Sequence, residues 1–172
     1  PIGLGIIATA VKSGLASPQV AKQAADIMAT LNRAACEAML AVGANACTDI
    51  TGFGLLGHLH EMAAGSGVDV TISARAVPII PSAWDLVGAG AIPGGTLNNL
   101  EHFEKHASFA PNVSRAARLI LADAQTSGGL LISLPESRVK AFMLGLQERG
   151  INSAARIGQV SRQGSGIIRI EG

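Results

Sequence analysis

The sequence predicts an α+β domain in which helices pack on a mixed β-sheet. Helical and strand-like segments alternate along most of the chain, but the last two strand-like segments follow each other directly. A fully parallel sheet would need a helix between them, so a mixed sheet is expected. The length of 172 residues and a hydrophobic fraction of 48% suit a single domain, residues 1–172, with its own core.

The first half of the chain contains five segments whose residue pattern predicts a strand or a helix. GLGIIATAVK is rich in β-branched residues, so we predict a Gly-bearing turn and then a strand. Ser17 and Pro18 are typical of a helix start, and apolar residues recur at helical spacing over residues 20–31. A second helix is predicted over residues 32–42. ACTDI is predicted as a short strand, and the leucine-rich stretch after it as a helix with one apolar side.

The second half is predicted to close the sheet. VDVTI alternates like a strand, SAWDLVGAG indicates a short helix, and AIPGGTLNN indicates a loop. Residues 100–109 and 115–122 are predicted as helices, GGLLISL as a buried strand, and the segment from Pro135 to Gly150 as an amphipathic helix. SAARIGQV and GIIRIEG are predicted to pair with each other, with SRQGSG as their turn.

Composition argues against several classes of function. The net charge is +1 with no basic block, and four Phe and one Trp offer few rings for base stacking, so no nucleic-acid partner is expected. No apolar run is long enough to predict a membrane span. Cys36 and Cys47 do not form a CxxC pair, so we expect a reduced, cytoplasmic protein. The chain lacks an initial Met and is expected to begin within a longer protein.

Histidines and cysteines give weaker signals. His102 and His106 are four residues apart, but a zinc-protease helix needs Glu directly after the first His, so we expect them on a solvated helix side. His58 and His60 are two apart and would point to different sides of a helix. Cys47 is interpreted as a small buried thiol rather than a reactive one.

TDITGFG, residues 48–54, is the stronger candidate site. Gly52 and Gly54 can adopt positive φ and expose backbone N–H groups before a helix N-terminus, which suits phosphate. Asp49 would repel phosphate unless it holds Mg²⁺, a cation that commonly joins carboxylates to phosphate oxygens. The alternative is that Asp49 caps the turn by a backbone hydrogen bond and the glycines only permit close packing.

DAQTSGG, residues 123–129, is the second candidate. This polar segment ends in two glycines and leads into a predicted strand, so it could form a second ligand-facing loop. For this segment taken alone, an ordinary turn with Asp and Ser at favourable positions is the better explanation.

Together these segments resemble the selenophosphate synthetase family, the selenide, water dikinases. The family motif Thr-Asp-Val/Ile-Thr-Gly-Phe-Gly-Leu-Leu-Gly-His matches residues 48–58 throughout, and Leu-Asn-Arg matches residues 31–33. Asp-Pro-Gln-Thr-Ser-Gly-Gly-Leu matches residues 123–130, with Ala124 in place of Pro. The family turn Lys-Pro-Leu-Gly-Thr-Gly is matched in part by residues 1–5.

The resemblance implies a function and a partner domain. The family converts selenide to selenophosphate with ATP and Mg²⁺, releasing AMP and phosphate, and belongs to the aminoimidazole ribonucleotide synthetase-like superfamily. This chain would be the C-terminal α+β domain. An N-terminal domain outside it would supply most ATP contacts, the nucleophile and the homodimer interface, so neither Cys36 nor Cys47 would be the nucleophile.

The motif match also implies site residues. Asp49 would bind the metal, while Thr48, Thr51, Gly52 and Gly54 would form a loop on the phosphate side. We expect the isolated chain to fold without activity and to expose apolar surface near the two Gly-rich loops. Two alternatives stay open: an ATP-using relative with another substrate, and a non-catalytic nucleotide- or partner-binding module.

Overall fold

The computed structural model describes residues 1–172 and contains two β-sheets surrounded by helices. The helices are α1 (Leu4–Lys12), α2 (Pro18–Ala29), α3 (Arg33–Val42), α4 (Gly54–Gly65), α5 (Ser82–Gly88), α6 (Gly94–Phe103), α7 (Arg115–Leu121) and α8 (Glu136–Glu148). The strands are β1 (Ala46–Asp49), β2 (Val68–Ser73), β3 (Ala107–Phe109), β4 (Leu130–Ser133), β5 (Gly158–Gln163) and β6 (Ile168–Glu171). The α+β class is confirmed. None of the helices combines the length and the apolar character that crossing a membrane requires.

The larger sheet has four strands in the order β3-β6-β2-β5 and is mixed, as predicted. β2 runs parallel to β6 and antiparallel to β5, and β3 runs parallel to β6. The predicted pairing of the last two strands is wrong, because β2 lies between them. The second sheet consists of β1 and β4 alone, paired antiparallel from Ala46 opposite Ser133 to Asp49 opposite Leu130.

Asp69 explains why the last two strands separate. Its buried carboxylate accepts hydrogen bonds from the backbone N–H groups of Ser165 (3.1 Å) and Ile167 (3.0 Å) and from Arg162 Nε (3.1 Å). Arg162 lies on β5 and faces Asp69 across the sheet, whereas the bonds from Ser165 and Ile167 hold the connection between β5 and β6 against β2. Burial alone would raise the pKa of Asp69, but the hydrogen bonds outweigh it and lower the pKa below its ordinary value.

The opening segment is helix α1, so the predicted strand is wrong. Its apolar run is long enough for either structure, and a buried helix and a buried strand share such runs. In the fold, Leu4, Ile6, Ile7 and Ala10 are all buried in the main core. Gly3 precedes the helix with φ 117°, a left-handed conformation that favours glycine.

The middle of the chain also differs from the prediction. AIPGGTLNN is not wholly a loop, because α6 begins at Gly94 inside it. The helix predicted over residues 100–109 ends at Phe103, and Ala107–Phe109 forms β3, which pairs with β6. Buried polar side chains, Thr96 and Asn99, hold α6 in place, and the hydrophobic period does not reveal such contacts.

Two apolar cores result from this arrangement. The main core contains 29 buried residues and joins α1, α4 and α7 to the four-stranded sheet. A smaller cluster of Ala38, Phe142 and Leu146 fixes α3 against α8 next to β4. β4 packs on this smaller cluster through Ile132, and β1, the strand that ends at Asp49, is held in place by its pairing with β4.

Candidate metal and phosphate site

The fold brings the two Gly-rich segments side by side. β1 pairs with β4, so residues 50–54 leave one strand where residues 123–129 enter the other. The N–H of Ile50 donates to the carbonyl of Gly129 (2.9 Å), and the N–H of Gln125 donates to the carbonyl of Thr51 (2.9 Å). The segments are therefore one structural unit, although the 68 residues from 55 to 122 separate them in sequence.

Asp49 is exposed and lies at the end of β1. Its carboxylate accepts no hydrogen bond and forms no salt bridge within the chain, so the capping bond of the alternative interpretation is absent. Side chains alternate along a strand, which places Asp49 and Cys47 on one face and Thr48 on the other. The Thr48 hydroxyl donates to the carbonyl of Asp49 (3.3 Å). An exposed carboxylate without a partner can accept a hard cation.

The turn after Asp49 offers free backbone donors. The carbonyl of Thr51 accepts from Gly54 (3.1 Å) as well as from Gln125, and Asn99 Nδ2 donates to the carbonyl of Gly52 (2.8 Å). In contrast, the N–H groups of Thr51 and Gly52 donate no hydrogen bond within the chain. Leu55 and Leu56 in the first turn of α4 also donate no hydrogen bond, but both residues are buried, so the accessible free donors are those of the turn itself. Free N–H groups at a helix N-terminus favour anions.

The two glycines of this turn have different roles. Gly54 has φ 67°, and a Cβ there would lie 2.6 Å from the carbonyl oxygen of Ala122, so both conformation and space require glycine. Gly52 is not among the positive-φ glycines, so that part of the prediction is wrong. A Cβ on Gly52 would meet no atom within 4 Å. Packing within the chain therefore does not explain Gly52, whose backbone is open to a ligand.

The first part of the second segment supports helix α1. Gln125 Oε1 accepts from the N–H groups of Gly3 and Leu4 (both 3.0 Å), and Asp123 Oδ2 accepts from Gly5 (3.0 Å) and Ile6 (3.2 Å). All these donors are thereby occupied. The N-terminus of α1 consequently has no free donor for phosphate, unlike the turn that precedes α4.

Asp123 is fully buried and is the central residue of this network. Thr96 Oγ1 donates to its Oδ1 (2.7 Å), and Gln125 Nε2 donates to its Oδ2 (3.1 Å). Burial raises the pKa of Asp123 above its ordinary value, although the hydrogen bonds from Thr96 and its other donors act in the opposite direction. The carboxylate is enclosed, which leaves Asp49 as the accessible acid of the two segments.

The second part of this segment remains open. Thr126 is exposed and Ser127 half-buried, and neither hydroxyl forms a hydrogen bond within the chain. Asn32 Nδ2 donates to the carbonyl of Gly128 (2.9 Å) and so attaches α3 to this loop. Hydrophobic periodicity gives no sign of this link.

The histidines form two separate groups. His58 belongs to the turn, because its Nε2 lies 3.2 Å from Thr51 Oγ1. The His60 and His106 rings stack with centroids 3.9 Å apart, so the prediction of a solvated side is wrong for His106, although His102 is exposed. Burial, with the nearby charge of His60, lowers the pKa of His106. No three His, Cys, Asp or Glu side chains are arranged to hold a metal ion.

The cysteines do not form a disulfide. Cys36 is half-buried and Cys47 is exposed, so the prediction of a buried thiol at Cys47 is wrong. Partial burial, together with Cys36 and Asp49, raises the pKa of Cys47. A raised pKa reduces the thiolate fraction, which is unfavourable for a nucleophile.

Comparison with known proteins identifies the family. The model of the C-terminal domain of AIR synthase related proteins matches residues 1–171. This chain belongs to that family. The domain is 42% identical to a selenide, water dikinase of Clostridium botulinum (strain Eklund 17B / Type B), over 99% of this chain and 49% of that protein. It is 43% identical to one of Myxococcus xanthus (strain DK1622), over 97% of this chain and 48% of that protein.

These relatives confirm the predicted resemblance to selenide, water dikinases. The chain spans about half the length of the curated relatives it matches. A solved structure of hydrogenase maturation protein HypE in complex with ATP has a TM-score of 0.69 and 23% identity, covering 98% of this chain and 44% of that one. At this identity the likeness shows that the two proteins share a fold.

Proposed function

We propose that this domain forms part of the active site of a selenide, water dikinase, which makes selenophosphate from selenide and ATP and releases AMP and phosphate. One observation carries the proposal. An unpaired, exposed carboxylate, Asp49, stands directly before a turn with free backbone N–H groups. Relatives of that name, 42% and 43% identical over nearly the whole domain, support the choice of reaction.

Asp49 is proposed to bind Mg²⁺. Carboxylate oxygen is a preferred ligand of this cation, and the carboxylate is free of competing hydrogen bonds. The chain offers no group of three acidic or other metal-binding residues, so phosphate oxygens and a second domain would complete the coordination. The bound cation would offset negative charge on the phosphates during transfer.

The turn is proposed to hold phosphate next to that cation. The N–H group of the exposed Gly52 can donate to a phosphate oxygen, and the backbone of Gly52 has open space in front of it. Gly54 sets the direction of α4, and Thr48 donates to the carbonyl of Asp49. These groups would orient ATP, and they leave covalent chemistry to residues outside this domain.

A second, N-terminal domain is proposed to pack on this face and to supply the nucleophile, most ATP contacts and the homodimer interface. Apolar side chains are exposed close to both segments: Phe53 is 49% exposed within the turn, and Leu31, beside Asn32, is 78% exposed. Interfaces between domains commonly cover such residues. The free thiols of Cys36 and Cys47 fit a reducing compartment such as the cytoplasm, which we also propose.

Asp49→Asn in the full-length protein tests the proposal. The change removes the charge but keeps the shape of an exposed side chain, so the melting temperature should stay within about 2 °C. Mg²⁺-dependent release of AMP in the presence of selenide should fall at least about a hundredfold, because a metal on the phosphates contributes several kcal/mol. Near-normal turnover at ordinary Mg²⁺ would refute the metal assignment.

Three controls complete the experiment. Asp26→Asn alters an exposed carboxylate on α2, paired only with Lys22, and should leave turnover unchanged. Omitting selenide from the wild-type assay separates this function from another ATP-dependent reaction, because selenophosphate can form only from selenide. The isolated 172-residue chain should not release AMP at a rate near that of the full-length protein, since it lacks the proposed N-terminal domain.

A further inference from the structure

His58 makes an unusual set of contacts at the turn. It lies on α4 and its side chain is only 11% exposed. Its Nε2 lies 3.2 Å from Thr51 Oγ1 and accepts a hydrogen bond from the N–H of Phe53 (3.4 Å). Its Nδ1 lies 3.4 Å from the carboxylate of Glu61, one turn further along the helix. One ring therefore joins a carboxylate, a hydroxyl and a backbone amide.

These contacts determine where the protons lie. A backbone N–H can only donate, so the hydrogen bond from Phe53 assigns the acceptor role, without a proton, to Nε2 of His58. The proton of the neutral ring is then on Nδ1, which lies 3.4 Å from the carboxylate of Glu61. Because Nε2 has no proton to give, Thr51 has to donate its hydroxyl hydrogen to His58.

This direction changes what Thr51 can offer a ligand. With its only hydrogen directed at His58, Thr51 Oγ1 has lone pairs left and no donor for a phosphate oxygen. Lone pairs on oxygen suit a hard cation, or a water bound to one, and Mg²⁺ usually retains several waters. Thr51 is two residues from Asp49, so the two Cα atoms are at most about 7 Å apart.

We propose that Thr51 Oγ1 is a second oxygen ligand for the divalent cation held by Asp49, directly or through a bound water, and that His58 is its positioning residue. This inference rests on the proposed function of Asp49 and assigns Thr51 to the cation rather than to phosphate. Glu61 completes the arrangement by selecting the Nδ1-protonated form of His58, as outer carboxylates do for many metal-site histidines.

The direct test is Mn²⁺ binding to the full-length protein, measured from the electron paramagnetic resonance signal of the free ion. Thr51→Val and His58→Leu should each weaken Mn²⁺ binding about tenfold, as is typical when an orienting partner is removed. The double variant should be no weaker than either single variant, because both changes remove the same oriented oxygen. Thr51→Ser and His58→Gln keep the hydroxyl and the acceptor and should retain binding within about threefold.

His60→Leu is the matched control. It makes the same substitution on the same helix, but His60 contacts the carbonyl of Gly166 and not the turn, so Mn²⁺ affinity should be unchanged. If Thr51→Val and His58→Leu bind Mn²⁺ normally while Asp49→Asn does not, this inference is wrong and the Asp49 site stands. If Asp49→Asn also binds normally, the proposed function itself fails.

A second measurement requires neither a metal ion nor a His58→Leu variant that folds. Nitrogen chemical shifts of ¹⁵N-labelled histidine in the 172-residue chain report which ring nitrogen carries the proton. His58 should show the Nδ1-protonated form, and Glu61→Gln should reduce its population, since a neutral amide is a weaker acceptor. A predominantly Nε2-protonated His58 in the wild-type chain would overturn the inference, because Nε2 could then not accept from Thr51.

Discussion

Replacing Gly54 by Ala should destabilise this domain strongly. A residue with a side chain at φ 67° costs about 1–2 kcal/mol relative to glycine. The new Cβ would also lie 2.6 Å from the carbonyl oxygen of Ala122 and 2.9 Å from that of Asp123, and both are backbone atoms that must move. Such overpacking adds about 1–3 kcal/mol. The expected loss in the free energy of unfolding is therefore roughly 3 kcal/mol.

Gly52→Ala provides a control two residues away in the same turn. Nothing lies within 4 Å of its added Cβ and its φ is not positive, so the free energy of unfolding should change by less than about 0.5 kcal/mol. For a domain of this size, a loss of about 3 kcal/mol lowers the melting temperature by roughly 6–12 °C.

Circular dichroism melts of the wild-type chain and both variants would measure this difference. Equal melting temperatures for the Gly54→Ala variant and the wild type would refute the packing argument, since they would mean that the turn adapts at no cost. A strong loss at Gly52 would show that this residue packs within the chain instead of facing a ligand. In the full-length protein, Gly52→Ala should still reduce turnover, because its methyl group would occupy the space proposed for phosphate.

Substitutions at Asp69, Asp123 and Cys36 would probe the buried and titrating groups. The Asp69→Asn variant should be less stable than the wild type at neutral pH but should lose less stability on acidification. The pKa of Asp69 is lowered in the folded chain, so the stability that its carboxylate contributes is lost as pH falls through the folded-state pKa. Parallel acid-unfolding curves for the two proteins would contradict this. Asp123→Asn should lower the free energy of unfolding, measured in urea, by about 2–4 kcal/mol, because buried donors lose an acceptor. An unchanged midpoint of urea unfolding would show that the hydrogen bonds of Asp123 do not stabilise the fold. In a Cys36→Ser variant, Cys47 should react with iodoacetamide more slowly at pH 7.5 than an unperturbed thiol, because its pKa is raised; fast alkylation would contradict it.

The sequence by itself predicted the elements that depend on local signals. Ser17 and Pro18 began α2 as expected, Gly43 ended α3, and α8 followed Pro135, because caps and hydrophobic periods act within a few residues. The motif over residues 48–58 and the resemblance it carries were also local information, and the family comparison confirmed the resemblance. The assignment of Asp49 to a cation remains a prediction.

Only the tertiary structure decided the elements that depend on distant polar contacts. α1 is helical with its first N–H groups bound to Asp123 and Gln125, more than 110 residues away. β5 and β6 separate because Asp69 holds their connection against β2. The difference between Gly52 and Gly54 likewise comes from the backbone that passes next to Gly54. A buried hydrogen bond or a close backbone contact leaves no periodic pattern in the sequence, so such features become visible only when the fold brings the partners together.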